Sequence, residues 1–209
     1  YCTRGWSVLP LIGKQPRVPW AEYQTRRAEY TEVEAWFDKW PDAGVGVVLG
    51  KVSGVVRVDM DGAEAQDKYR ELYGDPPQTA EFVTPSGGRG LLFKYEDGVE
   101  TGQVWRGAND HEELRIQSDG SYCVMPPSPH PDAPGLYTWV EAPWSTSPAD
   151  VPNKLREALH SVRVAKALRA LEAELKISTE QPDRSLVVEA LEHVPLEKRW
   201  RIVDRDAEH

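Results

Sequence analysis

Two aspartates carry the first chemistry that the sequence offers. In Val55-Val56-Arg57-Val58-Asp59-Met60-Asp61-Gly62 the residues alternate in polarity, as in a β-strand whose side chains point to opposite faces in turn. Val55, Arg57, Asp59 and Asp61 therefore share one face, with Val56, Val58 and Met60 packed behind. Gly62 ends the run and leaves the two carboxylates at the strand's exposed end. Paired hard oxygens suit Mg²⁺ or Mn²⁺, which take one or two carboxylates together with substrate phosphates. Two such ions ~3.5–4 Å apart can activate an attacking hydroxyl and neutralise a leaving pyrophosphate. A solvated turn bearing two aspartates is the alternative.

Two further segments add groups for an anion. Ser86-Gly87-Gly88-Arg89 lies between two apolar runs, so it forms a turn whose amides can face a triphosphate, with a hydroxyl and a guanidinium beside it. A plain Gly-Gly hairpin turn accounts for the same residues. Downstream, Glu113 and Arg115 share a strand face while Glu112 faces the other way. Pro126-Pro127-Ser128-Pro129-His130-Pro131 is a stiff, extended turn able to fix His130 in place, or simply an exposed loop.

The elements that must position these groups follow from pattern. Strands are expected at 44–50, 54–60, 80–85, 90–95, 112–117, 121–127 and 136–141. Helices are expected at 31–40, where Thr31 and Glu34 read as a capping box, and at 63–73, before Gly74, Pro76 and Pro77. Helices among the early strands and strands alone afterwards give a mixed α+β architecture. After Ser147-Pro148 the pattern becomes helical, with an amphipathic helix over 151–176 and a shorter one over 186–193. We place a boundary near 148, with 1–148 as a catalytic core and 149–209 as a helical appendage.

Bulk composition bounds the reading. The chain has 209 residues, 40% apolar and 28% charged, with a net charge of −9. It carries no run apolar enough to span a membrane. It starts without Met and ends in charged sequence, and reads as a piece of a longer protein. The negative balance argues against binding nucleic acid through a broad basic surface, although a carboxylate site that holds metal contributes to it. Local basic residues are Lys14, Arg17, Arg26 and Arg27. Cys2 and Cys123 lie far apart without a C-x-x-C, which gives neither a zinc site nor a disulfide framework and fits a reducing cytosol.

Taken in order, these motifs resemble the bifunctional primase–polymerase (prim-pol) branch of the archaeo-eukaryotic primase superfamily. The likeness runs through Gly5-Trp6, Pro10-Leu11, Gly13-Lys14, Pro16 and Trp20, the 44–50 strand, Asp59-x-Asp61, Thr84-Pro85-Ser86-Gly87-Gly88-Arg89, and Tyr122-x-Val124-x-Pro126-Pro127-Ser128-x-His130-Pro131. It closes at Tyr137-x-Trp139. It implies a primase fold, with a mixed α/β N-terminal part, an RRM-like sheet with flanking helices and a following helical segment. It also implies template-directed nucleotidyl transfer from a (d)NTP to a 3′-hydroxyl, with single-stranded DNA template and primer as partners. A fused or separate helicase is expected, the tail then being the start of a truncated helical region.

By the same resemblance, Asp59 and Asp61 bind catalytic metal, Mg²⁺ or Mn²⁺. Ser86 and Arg89, with Gly87 and Gly88, grip the triphosphate, joined by Arg115 and His130. Glu113 supplies the last metal carboxylate, Glu112 and Asp119 being the other choices. The family motif continues S-G-G-R-H, and Gly90 stands where that His belongs; His111 or His130 could replace it, or the module could bind without polymerising. Charge alone, not the resemblance, places the template along Lys14–Arg27. A different enzyme class also opens on an apolar strand ending D-x-D-G, the haloacid dehalogenase-like phosphatases, but Ala63 follows the Gly where they expect Thr or Val.

Overall fold

The computed structural model describes residues 1–109, 112–157 and 171. Strands β1 (Ser7–Ile12) and β2 (Gln15–Pro16) lead into helix α1 (Tyr30–Lys39), then strands β3 (Gly44–Val48) and β4 (Val55–Asp61) and helix α2 (Ala63–Tyr73). Strands β5 (Glu81–Val83), β6 (Arg89–Lys94), β7 (Gly102–Arg106), β8 (Glu113–Gln117), β9 (Tyr122–Met125) and β10 (Thr138–Glu141) follow. The result is mixed α+β. Two antiparallel sheets form, one ordered β2-β1-β3-β9 and the other β10-β5-β6-β4-β8-β7.

Strand β4 holds the centre. Val56, Val58 and Met60 face α2 and share a core with Ala65, Tyr69, Leu91, Leu114 and Ile116. Its other face turns towards the first sheet, where Leu9, Leu11, Val47, Leu49, Val55, Phe82, Leu92 and Met125 form a second core. Arg57 and Asp59 sit on that second face, both buried. The alternation read from the sequence therefore separates an apolar side from a charged one.

Several expectations change. Helix α1 starts one residue earlier, and its capping box is Glu29 with Glu32, not Thr31 with Glu34. Strands β1, β2 and β7 carry no strand signal in the reading above. Ala149 bridges to Phe93, and Val151 and Leu155 join the α2 core. The compact unit thus runs over Tyr1–Leu159, past the expected boundary at 148. Residues 153–157 are helical; apart from these and Leu171, the helices expected over 151–176 and 186–193 lie outside the described residues. Among the described residues, no helix is long and apolar enough to cross a membrane, and both cysteines are free.

Candidate active site

Between the two sheets opens a cleft of about 810 Å³. Arg57, Asp59 and Asp61 of β4 line it, with Arg115 and Gln117 of β8, Tyr122 to Val124 of β9, Thr84, Ser86, Lys14, Trp20, His130 and Tyr137. Pairing register explains the convergence. Asp59 sits opposite Gly90 on one side and Arg115 on the other, while Asp61 faces Glu113 and Arg57 faces Gln117. Directly paired residues project from the same face, so three paired rows of β4 and β8 bring Asp59, Asp61 and Glu113 to one face with Arg57 and Arg115.

Asp59 is not a residue of a solvated turn. Its side chain is 9% exposed, and both carboxylate oxygens are engaged. Arg57 Nη2 donates to Oδ1, and Arg115 Nη2 donates to Oδ2 at 2.8 Å. Burying a carboxylate is tolerable only with such pairing. Asp61 is half-buried and has neither guanidinium to itself. Burial first, and then the Asp59 charge, push its pKa up, while Arg115, Lys14 and Arg57 pull against them. Burial draws the Arg115 pKa down, but Asp59, Glu113 and Asp61 together outweigh it and leave it above the ordinary value.

The Thr84–Gly88 turn closes over Asp61. Gly87 N–H donates to Thr84 O at 3.0 Å, and Gly88 N–H donates to Thr84 Oγ1 at 2.9 Å. Both glycine amides are therefore used within the turn, and the cleft meets the Thr84 and Ser86 hydroxyls, which lie 2.9 Å apart. A Cβ on Gly88 would stand 3.3 Å from Asp61 Oδ1, so the missing side chain lets the turn approach the carboxylate. Gln66 ties the turn to α2 by donating to Gly87 O and Gly62 O.

Not every candidate reaches the cleft. Arg89 pairs in register with Met60, which places it on the opposite face, and its guanidinium is held by Glu81. Glu113 leans towards Arg106 and Arg115, at 3.5 and 3.2 Å. Asp119 Oδ1 instead accepts from Lys51 N–H at 2.8 Å. Glu112, read as facing away, lines the cleft and accepts from Ala65 N–H at 3.2 Å. It thereby serves the N-terminus of α2, where the N-cap Gly62 has no side chain to do so.

His130 lines the cleft, stacked on Tyr137 at 5.4 Å. Its Nδ1 accepts from the backbone of Asp132 and Ala133, which leaves the ring proton on Nε2. His111 is outside the described residues. Lys14 is the member of its basic group that enters the cleft. Arg26 is held by Glu22 and Glu32, Arg27 donates to Val52 O, and Arg17 lies over Trp40.

Beside Gly90 there is no spare room. A Cβ there would fall 2.5 Å from Phe82 Cζ and 2.9 Å from Arg57 Nε. The Arg57 guanidinium stacks over the Phe82 ring at 5.0 Å and fills the space that a larger residue at 90 would need. Arg57 and Phe82 were not among the sequence candidates. The signal for Arg57 was an arginine on the same strand face as Asp59 and Asp61, two residues before Asp59.

A family model described as Prim-Pol, bifunctional DNA primase/polymerase N-terminal, matches residues 1–154. The chain belongs to this family. The match spans the whole of the cleft, and in this prim-pol domain it removes the basis for a phosphatase reading of Asp59. A search of curated proteins finds no match.

The prim-pol family implies a divalent metal, and the residues present can be tested for it. Asp59 and Asp61 offer hard oxygens on one strand face, next to hydroxyls and cations suited to phosphate. Among the described residues, no group of three His, Cys, Asp or Glu side chains is placed to hold an ion. The pair fits a cation held by two carboxylates and completed by substrate oxygens. It does not fit a cage built from protein alone.

Proposed function

We propose that this prim-pol domain catalyses metal-dependent, template-directed nucleotidyl transfer from a (d)NTP to the 3′-hydroxyl of a primer or first nucleotide. One observation carries the reading: Asp59 and Asp61 lie on one strand face in a cleft that the Thr84 and Ser86 hydroxyls also line beside Asp61, with Arg57, Arg115 and Lys14 around them. Asp59 and Asp61 would hold Mg²⁺ or Mn²⁺. When bound, the metal supplies charge neutralisation at the departing pyrophosphate and activation of the attacking hydroxyl.

The chain's own groups do the rest by positioning and electrostatics. The Thr84 and Ser86 hydroxyls and the Lys14 ammonium bind triphosphate oxygens. His130, fixed through Nδ1, offers its Nε2–H as a donor to the same anion. Trp20 and Tyr122, edge to face at 4.9 Å, give the base an aromatic wall. Single-stranded template and primer, and a helicase acting beside the domain, complete the proposal.

Gly90 favours a second reading, a module that binds nucleotide or nucleic acid without polymerising, because the motif His is missing and its space is filled. Primer extension with Mn²⁺ and (d)NTPs on an oligonucleotide template separates the two. Extension that the Asp59→Ala, Asp61→Ala double variant loses supports catalysis. Nucleotide binding by the wild type with no extension under any metal supports the second reading.

A further inference from the structure

Both oxygens of Asp59 already accept from an arginine, each with one lone pair left over. Arg57 Nη2 holds Oδ1 and Arg115 Nη2 holds Oδ2, so a divalent ion approaching this carboxylate is repelled by two cations already paired with it. The two arginines are not equally free to yield. Arg57 is 8% exposed, stacked on Phe82 and tied through Nη1 to Gln117 Oε1 at 3.1 Å. Arg115 is 41% exposed, lines the cleft and has a second carboxylate, Glu113 Oε2, at 3.2 Å from Nε. Yet neither guanidinium is fully satisfied: Arg57 Nε and Arg115 Nε are buried without a hydrogen-bond partner of proper geometry.

Charge points the same way. Lys14, Arg57 and Arg115 face Asp59, Asp61, Glu112 and Asp132 around the cleft, so cations nearly balance carboxylates before any metal arrives. Adding a divalent ion alone crowds it against the guanidinium groups in a partly dehydrated cleft and leaves Arg115 only Glu113 as a partner, and adding a triphosphate alone sets it against Asp59 and Asp61. Adding both restores the balance.

We infer that Arg115 is an exchange residue: it neutralises Asp59 in the empty cleft and turns to the triphosphate when metal takes the carboxylate, so that metal and triphosphate load together. The inference rests on the proposed function and names the residue that couples its two ligands. Arg57 stays on Asp59 as the fixed counter-charge. Glu113 steadies Arg115 through the change rather than ligating metal.

The test measures binding, not turnover. Free Mn²⁺ is titrated into the protein by electron paramagnetic resonance, without nucleotide and then with a saturating deoxynucleoside triphosphate, for the wild type and Arg115→Gln. The variant should bind Mn²⁺ alone about tenfold more tightly, because the competing cation is gone, and bind the Mn²⁺–triphosphate about tenfold more weakly. Arg115→Lys, which keeps a charge able to change partner, should recover most of the wild-type pattern. A structural role for Arg115 would weaken both affinities together, and near-UV circular dichroism would show it. If the wild type extends primers but Arg115→Gln shifts both affinities the same way or neither, the exchange is refuted and the polymerase reading stands. If the wild type binds neither Mn²⁺ nor its triphosphate complex and extends nothing, both fall.

Discussion

Placing an alanine at Gly90 tests whether the space beside it is truly filled. The new methyl group would lie 2.5 and 2.7 Å from the Phe82 ring and 2.9 Å from Arg57 Nε, all inside van der Waals contact. Phe82 has nowhere to go. It is fully buried, meets Trp139 edge to face at 5.6 Å and supports Arg57. Overpacking a core by one methyl costs about 1–3 kcal/mol, and with three such contacts at a locked ring Gly90→Ala should lie near the top, about 2–3 kcal/mol. At roughly 2–4 °C per kcal/mol for a domain of this size, the melting midpoint should fall by about 4–12 °C. Urea unfolding followed by tryptophan fluorescence measures it, and Phe82→Leu supplies the control. In the Phe82→Leu background the alanine should cost at least ~1 kcal/mol less, a coupling that only direct contact produces. An unchanged midpoint in Gly90→Ala, or full additivity with Phe82→Leu, would refute the packing argument. The same steric fact predicts that Gly90→His alone will not rebuild the family motif.

Other expectations follow from single contacts. Gly62 has φ +84°, and a Cβ there would overlap the Glu112 carboxylate; Gly62→Ala should cost about 2–4 kcal/mol by urea unfolding and be partly relieved by Glu112→Ala. Arg26, then the Glu29 amide, hold the Glu32 carboxyl down at about 2. Because that pKa is depressed in the fold, its contribution is complete above the ordinary carboxylate range and disappears as pH falls towards 2. The stability gap between wild type and Glu32→Gln should therefore close on acidification, and a gap constant with pH would contradict the pairing. Arg26, Arg70, Arg89, Arg106, Arg156, Lys68 and Lys94 are all paired with carboxylates. Single-stranded DNA should thus bind with a log–log salt slope no steeper than about −2, at about −0.7 per phosphate neutralised. Fluorescence anisotropy across a salt series measures this, and a slope of about −5 would overturn it.

Alternation made part of the site legible. Period-two patterning in β4 put Arg57, Asp59 and Asp61 on one face and three apolar residues on the other, and the fold follows it. Gly74 and the following prolines marked the end of α2 at Tyr73. Register was not legible, and register decides which face a neighbouring strand presents. Arg89 pairs with Met60, so the arginine that looked poised for phosphate points to the other side with Glu81. Glu112 lies just before β8, where alternation no longer applies, and its carboxylate swings to α2. Strand β1 was hidden by Pro10, which lacks an N–H for a ladder and argues against a strand. It is accommodated because the register pairs with β2 stop at Leu11 and Ile12, and at Pro10 only its carbonyl is used on that side, accepting from Arg17 N–H at 2.9 Å. The cap of α1 was missed because Glu29, rarely chosen for that position, takes the place that Thr31 seemed to claim.

The position of Asp59 links folding to the proposed chemistry. Strand β4 is interior to its sheet, flanked by β6 and β8, so a carboxylate on its inward face starts out dehydrated. A bare buried charge would shift or destroy the fold, and removing one partner of a buried pair commonly costs ~3–5 kcal/mol. The buried Arg57 guanidinium is the counter-charge that the fold requires, and the more exposed Arg115 adds to it. They also raise the threshold for cation entry, since an arriving ion meets two guanidinium groups already paired with the carboxylate. On the proposed exchange, a divalent ion enters such a site more readily with a second anion than alone. On that proposal, tight metal binding without nucleotide and an intact metal-free fold place competing demands on Asp59, and its two arginine pairs serve the fold.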